Sequence, residues 1–134
     1  MTRNRTSARA AGSRFEKVTA DAFALHLRDD RIERRVTNGA KDRGDVGGVR
    51  TKTGQRLVVE CKDTAKLNLA GWVTEAHFEA INDNAVAGIV VHKRRGTTDP
   101  LEQYVTMTLG DLLRIGWGVQ VDAAAGYDFG DIDD

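Results

Sequence analysis

Two apolar runs stand on either side of a helix-length segment, and this arrangement narrows the fold more than any other feature of the chain. Residues 55–62 pass through Leu57, Val58 and Val59, and residues 86–92 through Ala87, Gly88, Ile89, Val90 and Val91. β-Branched residues favour extended backbone, so both runs read as strands. Between them, residues 69–82 set Trp72, Ala76 and Ala80 on one stripe at helical spacing. A strand, a helix and a second strand in succession pair in parallel through a right-handed crossover.

The flanking segments extend this unit. Residues 45–50 form a hairpin with 55–62, turned by Thr51-Lys52-Thr53-Gly54. Residues 32–37 read as a short, arginine-rich edge strand. Upstream, Ser13-Arg14-Phe15-Glu16 has the spacing of a capping box, with Ser13 as N-cap. It predicts a helix over 13–28, with Phe15, Val18, Ala22 and Leu25 on one face. Residues 102–108 alternate as another strand, Thr108 caps a helix over 109–115, and 116–121 extend weakly. The expected fold class is α/β, a central mixed β-sheet flanked by helices. Residues 12–121 make one domain. Residues 1–11 form a basic arm whose Arg3, Arg5 and Arg9 either track phosphates or are simply disordered. Residues 122–134 form a flexible acidic tail.

Several classes are excluded or disfavoured. No apolar stretch approaches the ~20 residues of a membrane span. The basic N-terminus is not followed by the apolar core of a secretory signal. The single cysteine, Cys61, cannot form an internal disulfide, which fits a reducing compartment, and a cytoplasmic location is expected. No Cys/His cluster has zinc spacing, and His26, His77 and His92 lack the mutual spacing of a ligand set. Net charge is zero, but its distribution is uneven. Residues 1–62 hold fifteen Lys/Arg against eight Asp/Glu, and the remainder five against twelve. A basic nucleic-acid face with an acidic tail fits that asymmetry; a surface on which the halves mix is the alternative.

The chemistry-bearing residues lie at the end of the first apolar run. On a strand, Leu57, Val59 and Cys61 point one way and Val58, Glu60 and Lys62 the other. Glu60 and Lys62 then stand roughly 6–7 Å apart on one face. The hairpin brings Asp45 close to Glu60. Two carboxylates with a lysine beside them can hold a hard divalent cation and manage the charge of a phosphate under attack. An isolated Glu-x-Lys is usually a solvated ion pair. Its position at the end of an apolar strand, across a glycine-rich hairpin from an aspartate, favours the cation site. Cys61 faces the other way and reads as a small core residue. Trp72 and Trp117 either stack on bases or pack in a core or dimer contact.

The ordered set of a helix with Gly12-Ser13-Arg14-Phe15-Glu16, a polar loop over 38–45 ending in Asp45, and an apolar strand entering Glu60-Cys61-Lys62 resembles the PD-(D/E)xK nuclease superfamily. Within it the chain looks most like the archaeal-type Holliday-junction resolvases, including versions carried by phages, over about residues 12–95. The resemblance implies a restriction-endonuclease-like core and metal-dependent cleavage of branched DNA by a homodimer. It implies Mg²⁺ or Mn²⁺ held by Asp45, Glu60 and the Cys61 backbone carbonyl. It makes Lys62 the lysine that orients or activates water, and Glu16 a supporting carboxylate; a capping role for Glu16 is the alternative. Arg34, Arg35, Asn38, Lys41, Arg43, Lys93, Arg94 and Arg95 are the expected DNA contacts. The chain departs from the superfamily at Gly44, where proline is usual, and at Thr37 or Asn38, where the resolvases carry serine. Two other readings stay open: a repair or restriction-like nuclease of the same superfamily, and a non-catalytic nucleic-acid-binding module whose carboxylates form surface ion pairs.

Overall fold

A computed structural model describes residues 4–35 and 44–119. Asn38, Lys41, Arg43 and Thr37, together with the acidic tail 122–134, lie outside the described residues. Helix α1 (Arg5–Leu27) starts well before the expected Ser13 cap. Asn4 is its N-cap, and its side chain accepts from the Ser7 N–H at 2.8 Å. Residues 5–11, expected as a mobile arm, are instead its first turns. Ala8, Ala10 and Ala11 favour helix, and Ala11 is buried. The helix ends where Arg28 turns left-handed at φ 53° and its N–H closes on the Ala24 and Leu25 carbonyls.

Five strands follow in one sheet among the described residues, ordered as in the sequence: β1 (Glu33–Arg34), β2 (Val46–Gly47), β3 (Leu57–Lys62), β4 (Ala87–His92) and β5 (Tyr104–Thr106). Only β3 and β4 are parallel, in the register Leu57↔Ala87 through Lys62↔His92. The other pairings are antiparallel. The mixed α/β sheet is therefore as the sequence indicates. The edge strand is shorter than expected, and β5 occupies only the centre of 102–108. Helix α2 (Leu69–Asn82) crosses between β3 and β4, and α3 (Leu109–Trp117) closes the described chain. Residues 116–117, expected to extend, belong to α3, which ends at Gly118 with φ 65°. Among the described residues no helix is long and apolar enough to cross a membrane.

The two faces of β3 behave as alternation requires. Leu57, Val59 and Cys61 join Phe15 and Ala20 of α1 with Ile89 and Val91 of β4 in the larger core. On the opposite face Val58 packs with Ala80 and Ala85, and Val90 with Trp72 and Ala76. Trp72 is thus a core residue, tilted against His92 with ring centroids 5.4 Å apart. Gly88 lets α2 lie directly on the sheet, since a Cβ there would collide with the Ala76 carbonyl.

Helix α3 is fastened to α2 by a buried polar knot. Thr108 caps it as expected, in a full capping box with Asp111. Asp111 is completely buried; its Oδ2 accepts from the Thr108 hydroxyl at 2.9 Å and lies 2.8 Å from His77 Nε2 of α2.

Candidate active site

Asp45 is placed by backbone geometry. Val46 pairs with Val59, so Asp45, one residue earlier, lies across from Glu60. The Asp45 N–H donates to the Val59 carbonyl at 2.9 Å, and its own carbonyl accepts from the Arg35 N–H at 2.7 Å. Gly44 makes the approach possible. Its φ is +92°, and a Cβ there would come within 2.9 Å of Val58 Cγ1. Proline, held near φ −65°, cannot take that conformation.

The Asp45 side chain turns onto β3. Its Oδ2 accepts from the Cys61 N–H at 2.8 Å. In an antiparallel pairing the N–H and C=O of one residue point to the same edge. The Cys61 carbonyl therefore points to the same edge of β3. The Cys61 side chain points into the α1 core, and burial pushes its thiol pKa up. It is a packing residue, as its face predicted.

Asp45 and Glu60 are both buried and within hydrogen-bonding reach of each other. Burial, then proximity to Glu60, pushes the Asp45 pKa up to about 9. Burial also pushes Glu60 up to about 9, with the nearby Glu79 and Glu75 carboxylates adding to the rise. Glu60 Oε2 has no hydrogen-bond donor among the described residues. A buried polar atom in that position costs about 1–3 kcal/mol. Protons or a cation would relieve it.

Helix α2 supplies two carboxylates that the sequence reading did not select. Glu75 and Glu79 are four residues apart, hence on one helical face. With Glu60 they offer three carboxylate oxygens within 4.8 Å of one another. Glu60 thus belongs to two sets, one with Asp45 and one with α2. The i, i+4, i+8 spacing of Glu75, Glu79 and Asp83 was legible as a charged stripe. Which face it takes depends on β3 and the residue before it: Lys62, Glu60 and Arg56 stand opposite the stripe. Lys62 Nζ lies 2.8 Å from Glu75 Oε2. Burial alone would lower the Lys62 pKa, but Glu75 and then Glu60 outweigh it and hold the ammonium above the ordinary lysine range.

The remaining expected residues divide. Glu16 is not part of a capping box. Its Oε2 accepts from Arg34 Nε at 2.7 Å, while Arg34 also reaches Ser13 Oγ at 3.3 Å. Glu16 stays close enough to Asp45 for its charge to add a small further rise to the Asp45 pKa. Arg34 is therefore tied to α1. Arg35 turns toward Asp83, at 3.7 Å. Lys93 donates to the Arg94 and Thr97 carbonyls, Arg94 lies over the Tyr104 ring, and Arg95 donates to the Thr64 carbonyl. These three sit in the loop after β4.

The fold and site together define an α/β domain with a buried multi-carboxylate cluster beside a charged lysine. Comparisons with protein-family models, curated proteins and solved structures found no match to this chain.

Proposed function

We propose that this protein is a metal-dependent, structure-selective DNA endonuclease that resolves four-way junctions by paired phosphodiester hydrolysis. One observation carries the reading: Asp45, Glu60 and Lys62 meet at the β2–β3 edge, with a buried Glu60 oxygen that has no donor among the described residues. Glu16, Asp45, Glu60 and Lys62 lie on a helix, a strand entrance and a strand in the order the nuclease resemblance requires.

Asp45, Glu60 and the Cys61 carbonyl would hold Mg²⁺ or Mn²⁺, all being oxygen donors suited to hard cations. Glu60 also belongs to the second carboxylate set, with Glu75 and Glu79 of α2. When bound, such an ion neutralises phosphate charge and lowers the pKa of water. The chain's own residues do the rest. Lys62 keeps a full positive charge at the rim, where the phosphate gains negative charge as water attacks. Glu75 holds the ammonium in place. The apolar packing of Val58 and Ala80 shields the inner side of the carboxylates from water. A homodimer would present two such sites to the two-fold symmetry of a junction.

The test is cleavage of a synthetic four-way junction with Mg²⁺, beside duplex and single-stranded DNA of the same sequence. Junction-selective nicking that disappears in Asp45→Asn and Glu60→Gln, with gel-shift binding retained, is expected. Equal cutting of plain duplex would move the protein to a repair or restriction-like activity. Binding without cleavage under any divalent ion would leave a nucleic-acid-binding module.

A further inference from the structure

The same strand that ends in the carboxylates begins at a cleft of opposite charge. Arg35, Arg50 and Arg56 wall a cavity of about 220 Å³ floored by Val49 and Leu57, with Asp83 as its one acidic residue. Arg50 and Arg56 face each other across the hairpin as an isolated antiparallel bridge. Arg35 comes in from the end of β1, its guanidinium lying against Gly47, which has no side chain to obstruct it.

The donors of Arg50 and Arg56 are only partly used. Arg50 gives Nη1 to the Gly54 carbonyl at 2.9 Å, and Arg56 gives Nη1 to the Asp83 carbonyl at 3.1 Å. Nε and Nη2 of both have no acceptor among the described residues. The Asp83 carboxylate stands 3.7 Å from Arg35 and 3.9 Å from Arg56, beyond hydrogen-bond length. It draws Arg35 and Arg56 to one side of the cleft. Arg50 and Arg56, each with Nε and Nη2 left over at a small open cleft that Arg35 also lines, match a tetrahedral oxyanion that accepts forked hydrogen bonds.

We propose that this cleft binds one backbone phosphate of the nucleic-acid strand whose reacting phosphate lies at Glu60. The phosphate chemistry of the cleft stands by itself; its link to a bound strand rests on the functional reading above. Arg56, the residue just before β3, and Glu60 share a face of this extended segment four residues apart, or roughly 13 Å. The cleft therefore holds the strand a few nucleotides from the reacting phosphate and fixes which bond is presented to the carboxylates.

Two measurements test this on the full chain. The first follows arginine Nε–Hε resonances by NMR during titration with inorganic phosphate, without divalent ions. Saturable shifts at Arg50 and Arg56 are expected, and the shift at the arginine that remains should weaken in Arg50→Gln and in Arg56→Gln, which also combine as a double variant. Both side chains are exposed, so folding is retained. The second measures junction binding in EDTA over a salt series. The double variant should bind about tenfold more weakly, with a salt slope shallower by about one unit. Arg56→Lys, which keeps charge but loses the fork, should recover the slope and only part of the affinity. Absence of phosphate shifts overturns the cleft. Phosphate shifts with unchanged junction affinity and slope would make it a site for free phosphate and overturn the strand contact. Neither readout needs cleavage, so an inactive nuclease and a non-functional cleft are separable results.

Discussion

Asp111 and the Asp45–Glu60 pair are both buried carboxylates, yet their surroundings are opposite. Asp111 is met by the Thr108 hydroxyl and backbone N–H, by His77, and by Arg114 at 3.5 Å. Asp45 has one backbone donor at 2.8 Å, and Glu60 adds a like charge beside it. The first arrangement compensates its desolvation and fastens α3 onto α2. The second leaves a deficit of donors in the middle of an otherwise well-packed sheet. Burial alone therefore does not mark a functional carboxylate; burial with too few donors does.

The largest effect that can break this contrast is on stability. Asp111→Ala removes the acceptor from a buried network and should destabilise by about 3–5 kcal/mol, read by chemical denaturation. Glu60→Gln in the absence of divalent ions should not. Comparable losses in both would erase the distinction.

The next effect is on pH dependence. The Asp45 and Glu60 pKa values rise from 3.8 and 4.5 to about 9 on folding. Between those limits the folded protein holds protons that the unfolded chain releases. The stability that this pair contributes is therefore fully present below the ordinary carboxylate range and is lost as pH rises toward about 9. Thermal melts in EDTA should fall over that window, and saturating Mg²⁺ should flatten the fall by replacing the protons. A melting temperature that rises across the same window would show that the pair is not protonated in the folded state.

The smallest effect sharpens the contrast. Glu79→Gln replaces a repelling carboxylate with an amide that can donate to Glu60. It should stabilise the metal-free protein by about 1 kcal/mol while raising the Mg²⁺ concentration needed for cleavage. Destabilisation instead would mean that Glu79 is a structural partner like Asp111.

Much of this contrast was legible in the chain. The alternation of Leu57 to Lys62, the bounds of α2 and the Thr108 cap follow from local chemistry, because strand faces, helical stripes and caps are set by near neighbours. The start of α1 was not legible. Ser13 and Glu16 have capping-box spacing, but both interact with Arg34, eighteen or more residues away, and that tertiary contact replaces the local signal. Glu75 and Glu79 were visible as a charged stripe, but only the packing of α2 on β3 turns the stripe toward Glu60.

Gly88 has a consequence for any ion held between α2 and β3. Because no Cβ separates β4 from the Ala76 carbonyl, the distance from α2 to the sheet is set by bare backbone. Glu75 and Glu79 ride on that helix, so the opening between them and Glu60 has its width fixed from the neighbouring strand. Gly88→Ala should push α2 outward by less than the length of one carbon–carbon bond. Mg²⁺ takes oxygens at about 2.0–2.1 Å and Ca²⁺ at about 2.3–2.6 Å. A displacement of that size therefore favours the larger ion. Calorimetric titration of the variant should show the ratio of Mg²⁺ to Ca²⁺ affinity falling, with no ligand residue changed; an unaltered ratio would mean that the carboxylates follow the ion rather than the helix.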